Sequence, residues 1–203
     1  MVKIVIIDYG LGNLRSVHKA FKRINNDTEI TKSVQEVKNA DAIVLPGVGA
    51  FRDAIKNLTH LKEDVLMLMK EGRPLLGICL GLQMLFSTST EGGLTKGLDY
   101  FKGRVIRLPK ELTVPHMGWN SLKIVKFENP LLSGISDGSY VYFAHSYYPV
   151  VEDEEDTIAI TDYGITIPSV ISKKSAFATQ FHPEKSGKVG INIINNYIKY
   201  VKR

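Results

Sequence analysis

Cys79 is flanked by Gly77-Ile78 on one side and Leu80-Gly81 on the other. An apolar run, Pro74-Leu75-Leu76-Gly77-Ile78, leads in, and a helical pattern carried by Leu82, Gln83, Leu85 and Phe86 leads out. A strand entering and a helix leaving make this a thiol version of a nucleophile elbow. Glycines let the chain turn sharply and leave the side chain between them exposed at the sheet edge. The following helix aims its N-terminus at the sulfur, which favours the thiolate, the reactive form. The competing reading of a lone cysteine is an inert, buried packing residue, and the flanking glycines weigh against it.

A thiolate that attacks an acyl carbon needs a base, a group that orients the base, and donors for the oxyanion. Of the five histidines, His18 falls on a helical apolar stripe and reads as a packed residue. His60 sits near a predicted helix end and reads as solvated. His116 and His145 occupy aromatic, turn-rich segments that fit either a structural or a site role. His182 differs: it ends an alternating run, Phe177-Ala178-Thr179-Gln180-Phe181, and is followed by Pro183-Glu184. The proline stops the ladder, and a spacing of two puts His182 and Glu184 on one side of an extended chain. A carboxylate there holds the imidazole in one tautomer and stabilises its charged form. The alternative is a strand-end histidine beside a solvated glutamate. Gly47-Val48-Gly49 ends another strand, where small residues let backbone N–H groups face an anion. It reads equally as a tight strand–helix turn.

Two glycine motifs invite a dinucleotide reading and fail it. In Asp8-Tyr9-Gly10-Leu11-Gly12-Asn13 the third glycine falls at Arg15, and after Pro46-Gly47-Val48-Gly49 it falls at Arg52. Either side chain obstructs the close helix–strand approach the fingerprint requires.

The elements that must hold these groups alternate. Lys3–Asp8 and Asp41–Leu45 are continuous apolar runs, as in parallel strands buried on both faces. Leu14, Val17, His18, Phe21 and Ile24 recur at helical spacing. Residues 29–31 predict a short strand and 34–39 a short helix; 51–58 and 63–70 predict two further helices. Beyond Phe86 the texture changes. Residues 87–96 read as a polar loop, and short strand-like pieces follow at 105–108, 122–125, 140–145, 157–161, 169–172 and 176–181. Residues 189–201 close the chain as an amphipathic helix. The expectation is one α/β domain over residues 1–203, with a mostly parallel central sheet flanked by helices and added antiparallel strands in the C-terminal half.

A chain of 203 residues with 44% hydrophobic content suits one well-buried core. One cysteine cannot form an internal disulfide or a cysteine-based zinc site. The N-terminal segment is too short and too early-charged for a signal peptide, and no apolar stretch reaches spanning length, so a cytoplasmic protein without membrane contact is expected. The net charge of +5 comes from lysines scattered over helical faces, offset by the acidic block Glu152–Asp156. That pattern argues against nucleic acid as a partner.

Gly77–Gln83 together with Phe181-His182-Pro183-Glu184 resembles the triad framework of class I glutamine amidotransferases. Further segments resemble one subfamily, the glutaminase subunit of imidazole glycerol phosphate synthase, an enzyme of histidine biosynthesis. They are Ile7–Leu14, Leu45–Phe51, Glu91-Gly92-Gly93, Pro115-His116-Met117-Gly118-Trp119-Asn120 and Tyr142–Tyr148. The matches run from residue 4 to about residue 190, and the segment from Pro115 to Asn120 is the most specific. Leu82 stands where the family often has Met, Thr90 replaces a common acidic residue, and 98–103 is less regular than usual.

The resemblance implies that Cys79, His182 and Glu184 are catalytic and that N–H groups of Gly47, Val48, Gly49 and Leu80 form the oxyanion hole. It implies that Glu91 binds the glutamine α-amino group while Gln83, Ser146 and Tyr147 line the pocket. It further implies a (β/α)8 cyclase subunit as heterodimer partner, receiving ammonia by an internal tunnel, with Asn13, Met117, Trp119, Asn120, Tyr142 and Lys185 at the interface. No cofactor and no metal are called for. Low activity without the partner would mean that the Gly47-Val48-Gly49 loop rests unproductively. The rival readings are a glutaminase subunit of another synthase, such as that of pyridoxal phosphate synthesis, and a flavodoxin-like binding module with an incidental cysteine. The Pro115–Asn120 segment argues against the first, and the Cys79, His182 and Glu184 set against the second.

Overall fold

The computed structural model describes residues 2–25 and 27–203. The first half alternates as expected: β1 (Ile4–Ile7), α1 (Leu14–Lys22), β2 (Thr28–Thr31), α2 (Val34–Lys38), β3 (Ala42–Leu45), α3 (Phe51–Lys70), β4 (Leu75–Ile78) and α4 (Leu80–Met84). Then come β5 (Phe86–Ser89), β6 (Thr95–Lys96), β7 (Phe101–Arg107), β8 (His116–Ser121) and β9 (Lys123–Ile124). They are followed by β10 (Tyr140–His145), β11 (Tyr147–Val151), β12 (Thr157–Asp162), β13 (Thr166–Lys173), β14 (Ala176–Thr179) and the closing helix α5 (Gly187–Val201).

The main sheet runs β2-β1-β3-β4-β14-β13-β12-β9. Its first five strands are parallel, and β13, β12 and β9 continue it antiparallel. A four-stranded sheet (β11-β7-β5-β6) and a two-stranded one (β10-β8) complete the molecule. Every residue of β1, β3, β4 and β14 is buried, which explains the unbroken apolar runs: a parallel strand covered on both faces has no solvent side to mark with polar residues. Successive side chains therefore feed two cores. Ile4, Ile6 and Val44 pack under α1 and α5 with Phe21 and Tyr197. Val5, Ile7 and Ile43 pack with Phe51, Leu58 and Leu61 of α3. Tyr197 is fully buried, and its hydroxyl donates to the Ile43 carbonyl at 2.9 Å. The ring thus brings apolar burial worth about 2–3 kcal/mol without leaving a polar atom unpaired.

Several expectations are corrected. The two helices at 51–58 and 63–70 are one, α3, because the intervening Thr59-His60-Leu61-Lys62 holds no breaker and Leu61 continues the buried stripe. His60 is therefore exposed in mid-helix rather than at an end. The polar loop at 87–96 contains β5 and β6, whose alternation was too short to read. The turn-rich segment around His116 is β8, paired with β10 from Tyr140↔Ser121 to His145↔His116. The alternating run at 177–181 lies largely in β14, which is buried on both faces rather than alternating. His18, expected to be packed, is half-buried and bonds the Thr28 carbonyl through Nε2 at 3.0 Å. No helix among the described residues is long and apolar enough to cross a membrane.

Candidate active site

Cys79 joins β4 to α4 at φ 54°, ψ −106°, and it is buried, 4% exposed, rather than standing free at the sheet edge as expected, because neighbouring core side chains close over the elbow. A non-glycine residue held there stores about 1–3 kcal/mol of strain, which the packing around it must offset. Its N–H is anchored to the Thr179 carbonyl of β14 at 2.7 Å. The elbow also packs closely against β3 because Gly81 carries no Cβ: one there would lie 1.7 Å from the Leu45 carbonyl oxygen. The helix that follows is only Leu80–Met84. Its N-terminus therefore offers the free N–H groups of a single turn and only a short helix's dipole. Leu80, the first helical residue, has no partner for its N–H within that helix.

β14 runs beside β4, so its downstream residues arrive at the same end of the sheet as the elbow. His182 is almost fully buried there, and its Nδ1 lies 2.9 Å from Glu184 Oε1. The chain does not stay extended to achieve this: Pro183–Lys185 is a 3-10 turn, and the turn swings the carboxylate back onto the ring. The other carboxylate oxygen, Oε2, is buried without a hydrogen-bond partner among the described residues. The imidazole is thus where the Glu184 charge is compensated. Burial by itself lowers the His182 pKa, but hydrogen bonds and Coulombic attraction from Cys79 and Glu184 override it and push it up to about 10. The imidazole consequently holds its second proton at neutral pH.

That shift fixes the sign of a pH dependence. A group raised from an ordinary value of 6.5 to about 10 stabilises the fold fully below about 6.5, and the contribution is lost as pH rises through about 10. The thermal midpoint of the protein is expected to fall between pH 7 and 10. Glu184→Gln should flatten much of that slope, and an unchanged slope in this variant would remove Glu184 from the account.

The elbow opens on a cavity of about 250 Å³ lined by Val48, Gly49, Cys79, Leu80, Gln83, Glu91, Pro115, Met117, Ala144, His145, Ser146 and Tyr147. A larger cavity, about 450 Å³, lies between β11 and β12–β13 with Val125, Tyr148, Ile160 and Pro168 on its walls. Its lining carries neither cysteine nor histidine, whereas the smaller one carries Cys79 and His145 and is the candidate chemical site. Eight of the catalytic, oxyanion and substrate residues selected from the sequence line it: Val48, Gly49, Cys79, Leu80, Gln83, Glu91, Ser146 and Tyr147. Gly47 is buried beneath, where a Cβ would meet the Tyr9 hydroxyl at 2.1 Å and the Leu80 Cβ at 2.9 Å. Glu91 accepts the Phe51 N–H at 2.8 Å, which ties the β5–β6 loop to the start of α3.

Sequence reading missed Tyr9 and Gln180. The Tyr9 hydroxyl donates to the Pro46 carbonyl at 2.5 Å, directly before the glycine loop, and burial raises its pKa further, keeping it a donor. Gln180 is buried, accepts from Gln83 at 3.1 Å and points its amide at the Cys79 sulfur at 3.8 Å. Its signal was present: a glutamine in the otherwise apolar stretch before His182 costs free energy when buried unless partnered.

Of the selected interface residues, Met117 and Trp119 are exposed (65% and 55%), on the outer face of the β8–β10 pair with Tyr140 and Tyr142. Trp119 packs edge-to-face on Tyr142, and Lys185 lies over the Tyr142 ring at 5.7 Å. Asn120 alternates to the inner face and bonds the Asp162 carbonyl at 2.9 Å. Asn13 is exposed ahead of α1; the loop it ends touches the site through Gly12, next to Gly47. Met117 belongs to both the exposed face and the cavity lining, so the aromatic face begins at the cavity mouth.

A family model described as glutamine amidotransferase class-I matches residues 5–199. Curated proteins named imidazole glycerol phosphate synthase subunit HisH are similar over nearly all of their length. The one from Caldanaerobacter subterraneus is 52% identical, covering 97% of this chain and 98% of its own. The one from Methanosarcina acetivorans is 52% identical (98% and 99% covered), and that from Archaeoglobus fulgidus 47% (98% and 100%). Among solved structures, PurLQS from Thermotoga maritima superposes with a TM-score of 0.73 at 16% identity, covering 98% of this chain and 99% of its own. A structure described as a glutamine amidotransferase superposes with a TM-score of 0.74 at 17% identity, covering 98% and 99%.

Proposed function

Since the chain belongs to the class I glutamine amidotransferases, and within them to the HisH subunits of imidazole glycerol phosphate synthase, we propose that the elbow, the buried imidazole–carboxylate pair and the cavity they share hydrolyse glutamine for a docked partner. The single observation that carries this reading is that Cys79 lines a cavity whose mouth continues into an exposed aromatic face, with the paired His182 and Glu184 buried beside the sulfur.

In this mechanism the Cys79 sulfur attacks the side-chain amide carbon of glutamine. His182, holding its proton at neutral pH, passes it to the departing nitrogen, so the C–N bond breaks as ammonia forms and a thioester remains. Water, deprotonated by the now neutral imidazole, attacks the thioester and releases glutamate and the thiol. Glu184 keeps the ring oriented and its charged form stable. N–H groups of the Gly47-Val48-Gly49 loop and of Leu80 bind the oxyanion, Glu91 takes the α-amino group, and Gln83, Ser146 and Tyr147 shape the pocket.

The partner in this reading is a (β/α)8 cyclase subunit seated over Met117, Trp119, Tyr142, Lys185 and Asn13, with Asn120 behind that face, so that ammonia enters it through a tunnel without meeting bulk water. Exposed aromatic and Met side chains beside one cation are the composition of an interface anchor. The test is glutamate release by the chain alone, then with the cyclase subunit and its nucleotide ligand. Stimulation of about 100-fold, the worth of one oxyanion donor, is expected if the glycine loop rests unproductively. Equal rates in both states would refute partner gating, and no release in either would sink the glutaminase assignment.

A further inference from the structure

Behind the cavity wall lies a chain of hydrogen bonds whose direction is determined at both ends. His145, which lines the cavity, has its Nδ1 at 2.9 Å from the Tyr147 carbonyl. A carbonyl only accepts, so that nitrogen carries the proton, and in the neutral ring Nε2 is then an acceptor. Nε2 faces His116 Nδ1 at 3.1 Å, so His116 must also be protonated at Nδ1 and accept at Nε2. There it meets the Asn120 amide nitrogen at 3.4 Å. Asn120 is oriented independently: its nitrogen donates to the Asp162 carbonyl at 2.9 Å, and its oxygen accepts the Ser121 N–H at 2.8 Å. Each link fits only one proton arrangement, and both ends agree on it.

The surroundings keep both rings neutral. Burial lowers His116 to about 4 and, with His116 and His182 nearby, His145 to about 3. His116 is sandwiched between Phe143 and Tyr163, with centroids 4.6 and 3.9 Å away, which fixes its plane. The relay ends on the Tyr147 carbonyl, where Gln83 donates as well, at 2.8 Å.

We propose that His116 and His145 are positioning residues, a one-way relay of neutral imidazoles that runs from Asn120 on the β8 strand to the Tyr147 carbonyl and holds the cavity wall in its glutamine-binding shape. The proposal rests on reading this cavity as the glutamine site. By remaining uncharged, His145 also leaves His182 as the single cationic imidazole beside the sulfur.

Two measurements test it. On the free chain at neutral pH, nitrogen NMR of the imidazoles should show the Nδ1-protonated tautomer at both His116 and His145. An Nε2-protonated ring or an imidazolium at either position overturns the relay, whatever the protein's activity. In the second, His116→Phe keeps the stack on Phe143 and Tyr163 but removes the donor to His145. Its KM for glutamine in the complex should rise roughly 5- to 10-fold, the loss of one buried hydrogen bond, with kcat within about 2-fold of the parent. His116→Gln, whose amide can donate in place of Nδ1, should restore most of the KM. An unchanged KM in His116→Phe, or a loss in Gln equal to that in Phe, overturns the positioning role. If no glutamine is turned over by the parent protein either, the functional reading fails while the tautomers still report on the relay.

Discussion

Cys79→Ala is expected to lower glutamine-dependent turnover about a million-fold, the scale on which loss of a triad nucleophile is felt, equivalent to about 8 kcal/mol of barrier. The reason is geometric as well as chemical. The sulfur sits at a strained elbow, at φ 54°, above an imidazole that Cys79 and Glu184 together keep protonated, and no other thiol exists in the chain. Water has no group that could replace it at that point. Synthesis from added ammonia by the full complex should survive, because that reaction bypasses the cavity floor. Measuring both rates on one preparation separates loss of chemistry from loss of structure. Appreciable glutaminase activity in the variant would sink the nucleophile assignment, and loss of the ammonia-dependent rate would point to misfolding or failed docking.

Gly81→Ala should be the most damaging single methyl group in this molecule. The added Cβ would lie 1.7 Å from the Leu45 oxygen and 2.8 Å from its carbon. Both are backbone atoms at the end of β3, so no rotamer change can make room, unlike an overpacked side chain. Relief requires β3 and α4 to separate, and Leu45 leads directly into Pro46-Gly47, so the glycine loop moves with it. We expect at least about 3 kcal/mol of destabilisation, beyond the usual overpacking cost and a large part of the 5–15 kcal/mol available to a typical domain. A urea midpoint, read with glutamate release, checks this. Parent-like stability and activity would show that the two elements can part at little cost. Gly49 offers the contrast: nothing lies within 4 Å of a Cβ there, yet its φ of +104° strains any side chain. A substitution there acts on the loop's conformation and not on packing.

The local chemistry was legible because it is written in short segments. Gly-Ile-Cys-Leu-Gly declares a sharp strand–helix turn with the thiol at its apex, since only glycine admits that approach, but it does not declare that the thiol is buried. His-Pro-Glu declares a strand end with a carboxylate within reach of an imidazole. The buried runs at Ile4–Ile7, Ala42–Leu45 and Leu75–Ile78 declare a parallel sheet, because strands covered on both faces have no polar side. Met117 and Trp119, chosen as interface residues chiefly from resemblance, are exposed.

What the tertiary structure alone decided is everything that depends on residues distant in the chain. No local rule says that β14 lies against β4, yet this pairing carries His182 to Cys79, 103 positions away. No local rule reveals that Tyr9 clamps Pro46 or that Gln180 aims at the sulfur. His116 and His145 were ambiguous in sequence, and they resolved only when β8 paired with β10 and set the rings 3.1 Å apart. Spacing along the chain encodes turns and faces, which arise from short-range sterics. Which faces meet is set by burying apolar surface across the whole molecule, and that sum cannot be read from any one segment.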